Sequence, residues 1–173
     1  MIKIFPLLFF LCLFNVNTLF SQENQLNQTT ISNSVQNTFS PDKEFAKIEQ
    51  GRCITCGMYV SKSETPYLII LKNGKNRLAC GINCAILYRK MDKENVTAIM
   101  TQNCVTKKWI YVEKTFFVEG SNPVPKGTMY PFVWSFDSKK AAQKFIKQHG
   151  GKILTYDETL KILPCNTERT KSN

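Results

Sequence analysis

The chain of 173 residues has a single histidine, His149. One imidazole cannot supply a hydrolytic centre, and the sequence shows neither a Ser-His-Asp constellation nor a phosphate loop. His149 falls in the last turn of a predicted helix, just before Gly150, where a helix-end role beside the dipole accounts for it. The chain therefore reads as a non-enzyme. Acidic residues are also scarce, 13 against 23 Lys and Arg, for a formal net charge of +10. The lysines, among them Lys72, Lys75, Lys107, Lys108, Lys139 and Lys140, are scattered and come with no nucleic-acid recognition motif. Nucleic acid is not expected as a partner. The surplus reads as a solvated basic surface, open to an anionic partner or to peripheral association with a membrane face.

No apolar run approaches the roughly 20 residues that a spanning helix needs. The one candidate, Ile4 to Phe14, follows Lys3 and gives way to Asn15 and Asn17. A short apolar run behind a positive charge predicts a secretory signal peptide over 1–21, with cleavage after Ser21. Removing it takes Lys3 alone, so the basic surplus stays with the mature protein. Cys12 lies between Leu11 and Leu13, without the small residues that precede a lipidated cysteine, so no lipid anchor is expected. Residues 22–43, rich in Asn, Gln, Ser and Thr, predict a polar flexible linker. Residues 44–163 suffice for one core, and 164–173 form a tail.

Hydrophobic patterning points to an α+β domain. Tyr67 to Leu71 and Arg77 to Cys80 flank Asn73-Gly74, a strong hairpin signal. A helix capped by Asn83 then carries Ala85, Ile86, Leu87, Tyr88 and Met91, ending near Lys93. Trp109 to Val112 is expected to return to the sheet as the closing strand. Thr115 to Val118 and Tyr130 to Phe136 predict further strands, followed by a helix over Lys139 to His149 whose core stripe is Ala142, Phe145 and Ile146. Gly150-Gly151 ends it, and Ile153 to Tyr156 predicts a last strand. The recurring order suggests two consecutive ββαβ units, a degenerate duplication forming one compact domain.

The abundance that matters is sulfur. Six of the seven cysteines follow the predicted signal: Cys53, Cys56, Cys80, Cys84, Cys104 and Cys165. Three disulfides are one reading of an even count in an exported chain. A structural zinc held by Cys53-x-x-Cys56 and Cys80-x-x-x-Cys84 is another. A redox dithiol fits poorly, because Gly57 to Val60 looks extended where such motifs open a helix. Met58, two residues past Cys56 beyond a glycine, favours a third reading. Thiolate and thioether together are soft donors suited to copper(I). Met129, after Gly127-Thr128, is a further candidate thioether.

The box Cys53-Ile54-Thr55-Cys56-Gly57-Met58, the loop Gly127-Thr128-Met129 entering Pro131-Phe132-Val133-Trp134-Ser135-Phe136, and the helix from Ala141-Ala142 to Gly150-Gly151 together resemble the NosL family. These are copper-handling accessory proteins of nitrous oxide reductase maturation. The resemblance spans roughly residues 50 to 160. It implies two ββαβ units and a periplasmic copper(I) chaperone for the reductase's multicopper centre, whose partner is the reductase apoprotein or its copper-centre assembly machinery. By position it implies Cys56 and Met58 as the core ligand pair, with Cys53 and Met129 beside them. Cys80 and Cys84 depart from the family pattern and remain either extra ligands or a disulfide. The competing expectation is a zinc- or disulfide-stabilised interaction module that delivers no metal.

Overall fold

The computed structural model describes residues 39–48 and 50–164. The predicted signal peptide, nearly all of the predicted linker and tail, Cys12 and Cys165 lie outside the described residues.

Strand β1 (Tyr67–Leu71) pairs antiparallel with β2 (Arg77–Ala79), aligning Tyr67 with Ala79 and Ile69 with Arg77. The predicted hairpin is present, and its turn is held by side chains. Asn73 Oδ1 accepts from the Lys75 N–H and Asn76 Oδ1 from the Leu71 N–H, at 2.9 and 3.1 Å. Gly74 takes φ 71° at the tip, a conformation that costs glycine little. An amphipathic helix α1 (Pro41–Ile48) precedes the hairpin and crosses the boundary drawn at residue 43. Its Phe45 packs on Trp109, its Asp42 accepts from the Trp109 indole, and its Glu44 accepts from Asn76.

Helix α2 (Ile82–Met91) is capped by Gly81, not Asn83. The backbone bends at Cys80 and is extended at Gly81, and the helix starts at Ile82, so Asn83 already lies inside the first turn. The closing strand also differs from expectation. It is β3 (Val96–Gln102), which runs antiparallel to β1 with Leu68 opposite Met100. Thr97 and Thr101 break its apolar run, which hid it in the sequence, although both are β-branched and suit a strand. Trp109–Tyr111, predicted to close the unit, is instead an added edge strand β4 on β3, giving the order β2-β1-β3-β4.

The second sheet has the order β6-β5-β7, built from β5 (Phe116–Glu119), β6 (Val133–Phe136) and β7 (Lys152–Leu154). Strand β6 is shorter than the predicted 130–136, because Pro131 has no N–H for the ladder. Helix α3 (Lys139–His149) matches expectation. Ser138 caps it by accepting from the Ala141 N–H, and Ala142, Phe145 and Ile146 pack on Val118 and Phe136. The predicted last strand stops at Leu154, and a further helix α4 (Tyr156–Ile162) begins under a Thr155–Glu158 capping box.

The fold is thus α+β, with helices set against two antiparallel sheets. Its described elements fall in one compact unit beginning at Pro41. The sheets meet at buried Thr101 and Ser135, whose hydroxyl oxygens stand 3.4 Å apart. The fully buried side chains of Tyr67, Leu68, Ile69, Ile99, Phe117 and Phe136 form the core. Burial at roughly 25 cal/mol per Å² of apolar surface is its chief source of stability.

Candidate metal centre

The cysteine box is a tight loop closed on itself. The Cys53 N–H donates to the Met58 carbonyl at 2.7 Å, and the Gly57 N–H returns to the Cys53 carbonyl at 2.9 Å. Closing so short a loop requires Gly57 at φ 78°, the left-handed region where a side chain is strained. Arg52 and Tyr59 pair across the loop's base. The Arg52 guanidinium donates to the Gly57 carbonyl at 3.0 Å and lies over the Tyr59 ring. Two bonds dock the loop onto the unit: Ile54 N–H to the Leu78 carbonyl at 2.9 Å, and Thr55 Oγ1 to the Cys84 carbonyl at 2.8 Å.

The other two cysteines come from the elements the loop docks onto. Cys80 follows the last residue of β2, and Cys84 sits in the first turn of α2. Ser63 Oγ donates to the Cys80 carbonyl at 2.8 Å and fixes that junction. The four sulfur atoms of Cys53, Cys56, Cys80 and Cys84 all lie within 4.8 Å of one another. Cys56 Sγ is 3.4 Å from Cys80 Sγ, which is 3.9 Å from Cys84 Sγ. Four thiolates around one tetrahedral ion at about 2.3 Å would stand about 3.8 Å apart. The donor set therefore fits a single metal ion without rebuilding the chain. Cys53, Cys80 and Cys84 are buried while Cys56 is exposed, so only one edge of the cluster meets solvent.

Packed together, the thiols cannot ionise independently. Cys53 is pushed far below the ordinary thiol range. The main cause is hydrogen bonding from the Cys80 and Cys84 thiols, joined by the backbone N–H groups of Cys56 and Cys80. Cys80 is pushed up to about 12, first through its hydrogen bond to Cys53, and Cys84 is raised by the same partner and then by Cys80. Ionising one thiol of the cluster therefore disfavours ionising its neighbours, and Cys53 is the one whose charged form its surroundings favour. A cation reverses this order, since it stabilises every thiolate and expels the protons.

Of the remaining candidate residues, Met58 and Met129 lie on loops that meet the cluster's supporting backbone. Met58, half-buried, closes the loop through its carbonyl. Met129 is 40% exposed, but its backbone lies against Gly81, where an added Cβ would come within 3.4 Å of the Met129 N and O. The 127–129 loop therefore abuts the Cys80–Gly81 junction, a contact that sequence distance concealed. His149 stacks on Phe145 at the end of α3, and neither it nor Cys104 belongs to the cluster among the described residues. Burial raises the Cys104 thiol to about 11. Sequence reasoning missed Arg52, Thr55 and Ser63 as the groups that hold the loop and junction in place. Only tertiary contacts reveal them.

The NosL family model matches residues 45–161, well over half of the chain, and takes in both sheets and all four clustered cysteines. Among solved structures, the crystal structure of the copper chaperone NosL from Shewanella denitrificans is similar, with a TM-score of 0.53 and 23% identity. The match covers 64% of this chain and 90% of that one. At this identity the likeness bears on the fold. No curated protein matches the chain in sequence. On the extent of the family match, the chain belongs to the NosL family.

Proposed function

We propose that the protein is an exported copper(I) chaperone that carries the ion on its cysteine cluster and delivers it for assembly of the nitrous oxide reductase multicopper centre. The observation that carries this reading is the convergence of four sulfurs, three of them buried, at one point of a NosL-family fold. Soft thiolates select soft ions. In this reading Cys53, Cys56, Cys80 and Cys84 form the holding set, and the thioethers of Met58, in the cysteine loop, and of Met129, in the loop against the Cys80–Gly81 junction, would favour copper(I) and assist hand-over. Exchange proceeds at the exposed Cys56 edge. There an incoming donor forms its bond as a protein sulfur leaves, and no electron is transferred. The predicted signal peptide supports a periplasmic location, and the similar solved structure is itself described as a copper chaperone. The reductase as recipient rests on the family resemblance.

The test is anaerobic titration of the purified mature chain with copper(I) against a competing chelator. About one ion per chain is expected. Cys80→Ser should weaken binding by roughly tenfold or more, the size of effect seen when a metal site's support is cut. Met58→Leu should weaken copper(I) while leaving zinc binding unchanged. Copper(I) affinity unaltered by Cys80→Ser would remove the four-sulfur set, and affinity unaltered by Met58→Leu would remove the thioether role.

The same geometry favours one rival. Cys53-x-x-Cys56 with Cys80-x-x-x-Cys84 closed around a point is also the donor set of a structural zinc site, whose metal supplies folding energy. That reading expects zinc in protein purified from the exported compartment, and unfolding when it is stripped. Metal analysis with thiol counting separates the two.

A further inference from the structure

The second half of the domain contains a loop with the same backbone bonding as the cysteine box. The Asn103 N–H donates to the Lys108 carbonyl at 2.8 Å, as Cys53 does to Met58 at 2.7 Å. The Lys107 N–H returns to the Asn103 carbonyl at 2.9 Å, as Gly57 does to Cys53 at 2.9 Å. Lys107 has φ 58° where Gly57 has 78°, the one non-glycine with positive φ among the described residues. Gln102 pairs with Trp109 across the base, as Arg52 does with Tyr59. Inside the loop, Asn103 Oδ1 accepts from the Thr106 N–H at 3.1 Å, as the Cys53 sulfur accepts from the Cys56 N–H.

The correspondence continues beyond the loop. Strand β2 leads through Cys80 to the cap Gly81 and on to Cys84. Strand β6 leads through Asp137 to the cap Ser138 and on to Ala141, at the same steps. In both sheets the first strand of the unit lies between the second and the third. A loop with this bonding could recur by chance. Convergence is harder to dismiss: Asn103, Thr106, Asp137 and Ala141 all line one pocket of about 450 Å³.

We infer that this pocket is the vacated counterpart of the cysteine centre, one backbone frame built twice with its sulfur ligands kept in the first half alone. For the ligand chemistry, the inference rests on reading the cluster as a metal site. As it stands the pocket offers no thiol or thioether, and its only side chains of a metal-ligating type are the Asp137 carboxylate and the His149 imidazole. Asn103 Oδ1 is spent on its own loop, with bonds to both Val105 and Thr106, Ala141 has no donor, and Lys144 adds a positive charge at the wall. The frame would hold two soft ions, and side-chain identity, not backbone geometry, limits the chain to one.

The test places Asn103→Cys, Thr106→Cys, Asp137→Cys and Ala141→Cys together in the full chain and titrates it anaerobically with cadmium, read by thiolate-to-metal absorption. Two ions per chain are expected in place of one. The same four substitutions with Cys53, Cys56, Cys80 and Cys84 all changed to Ser should bind one. A folded variant that gains no ion overturns the inference. Metal in the built site but none in the natural cluster would instead sink the proposed carrier function and leave this inference standing. A second measurement needs neither metal nor the fourfold variant. Cys53→Asn should keep the melting temperature of the metal-free protein, because the amide oxygen can accept the same loop N–H, whereas Cys53→Ala should lower it by several degrees. An Asn variant no more stable than the Ala variant overturns the equivalence of the loops.

Discussion

At the scale of single residues, the centre depends on small groups that place the sulfurs. Thr55 ties the cysteine loop to α2 through the Cys84 carbonyl. Thr55→Val keeps the shape and deletes that bond, and should cost about 1 kcal/mol, measurable by denaturant unfolding of the metal-free protein. Gly127 is more constrained. Its φ is +67°, and an added Cβ would fall 2.0 Å from the Lys62 carbonyl oxygen. Gly127→Ala must push the 127–129 loop and the Lys62–Ser63 backbone apart. It should lower the melting temperature, with Gly120→Ala as control, since Gly120 also has positive φ but open space for a Cβ. A Gly127 variant no less stable than the control would show that the close approach is unimportant. Cys53, Cys56 and Met58 were legible as candidates from spacing alone. Arg52, Thr55 and Ser63 were not, because a single hydrogen bond to a distant carbonyl leaves no periodic trace.

At the scale of elements, legibility followed the strength of the local signal. The β1–β2 hairpin and α3 were readable because turn residues, caps and apolar stripes agree. Strand β3 was missed because its threonines dilute the apolar run, and its partner β1 lies across an intervening helix. Helix α4 was missed despite a usable signal, Thr155 followed three residues later by Glu158. That capping box has both bonds in place, and it lowers the Glu158 pKa, first through the Thr155 N–H and then through the Thr155 hydroxyl. Because the folded value lies below the unfolded one, this contribution is complete above the unfolded value of about 4.3 and fades as pH falls through the folded value. Glu158→Gln should therefore lower the melting temperature at neutral pH, and the gap from the parent should narrow toward pH 3. A gap independent of pH would mean that the carboxylate's charge plays no part.

At the scale of the whole molecule, stability comes from the core, and metal binding, as proposed, would add to it. Phe117, fully buried, lies on the central strand of the second sheet, and Phe117→Ala should cost about 3–5 kcal/mol, read by chemical denaturation. Binding adds a term that grows with metal concentration, about 2.7 kcal/mol at one hundred times the dissociation constant. A strong soft-metal chelator should accordingly lower the melting temperature of the loaded protein. The same chelator should leave unchanged a variant with all four clustered cysteines replaced by Ser. An equal drop in both would place the metal elsewhere.

The sequence by itself determined the α+β class, the hairpin, the second long helix and the family, and it singled out Cys53, Cys56 and Met58 as candidate ligands. Each is written in neighbouring residues, as periodicity, turn chemistry or a short motif. Tertiary structure decided that Cys80 and Cys84 join Cys53 and Cys56 around one point, that Cys56 alone of the four is exposed, and that the Met129 loop abuts the junction beside Cys80. Those facts depend on how β2, α2 and two loops pack together. Side-chain spacing along a chain carries no record of which distant backbones will meet.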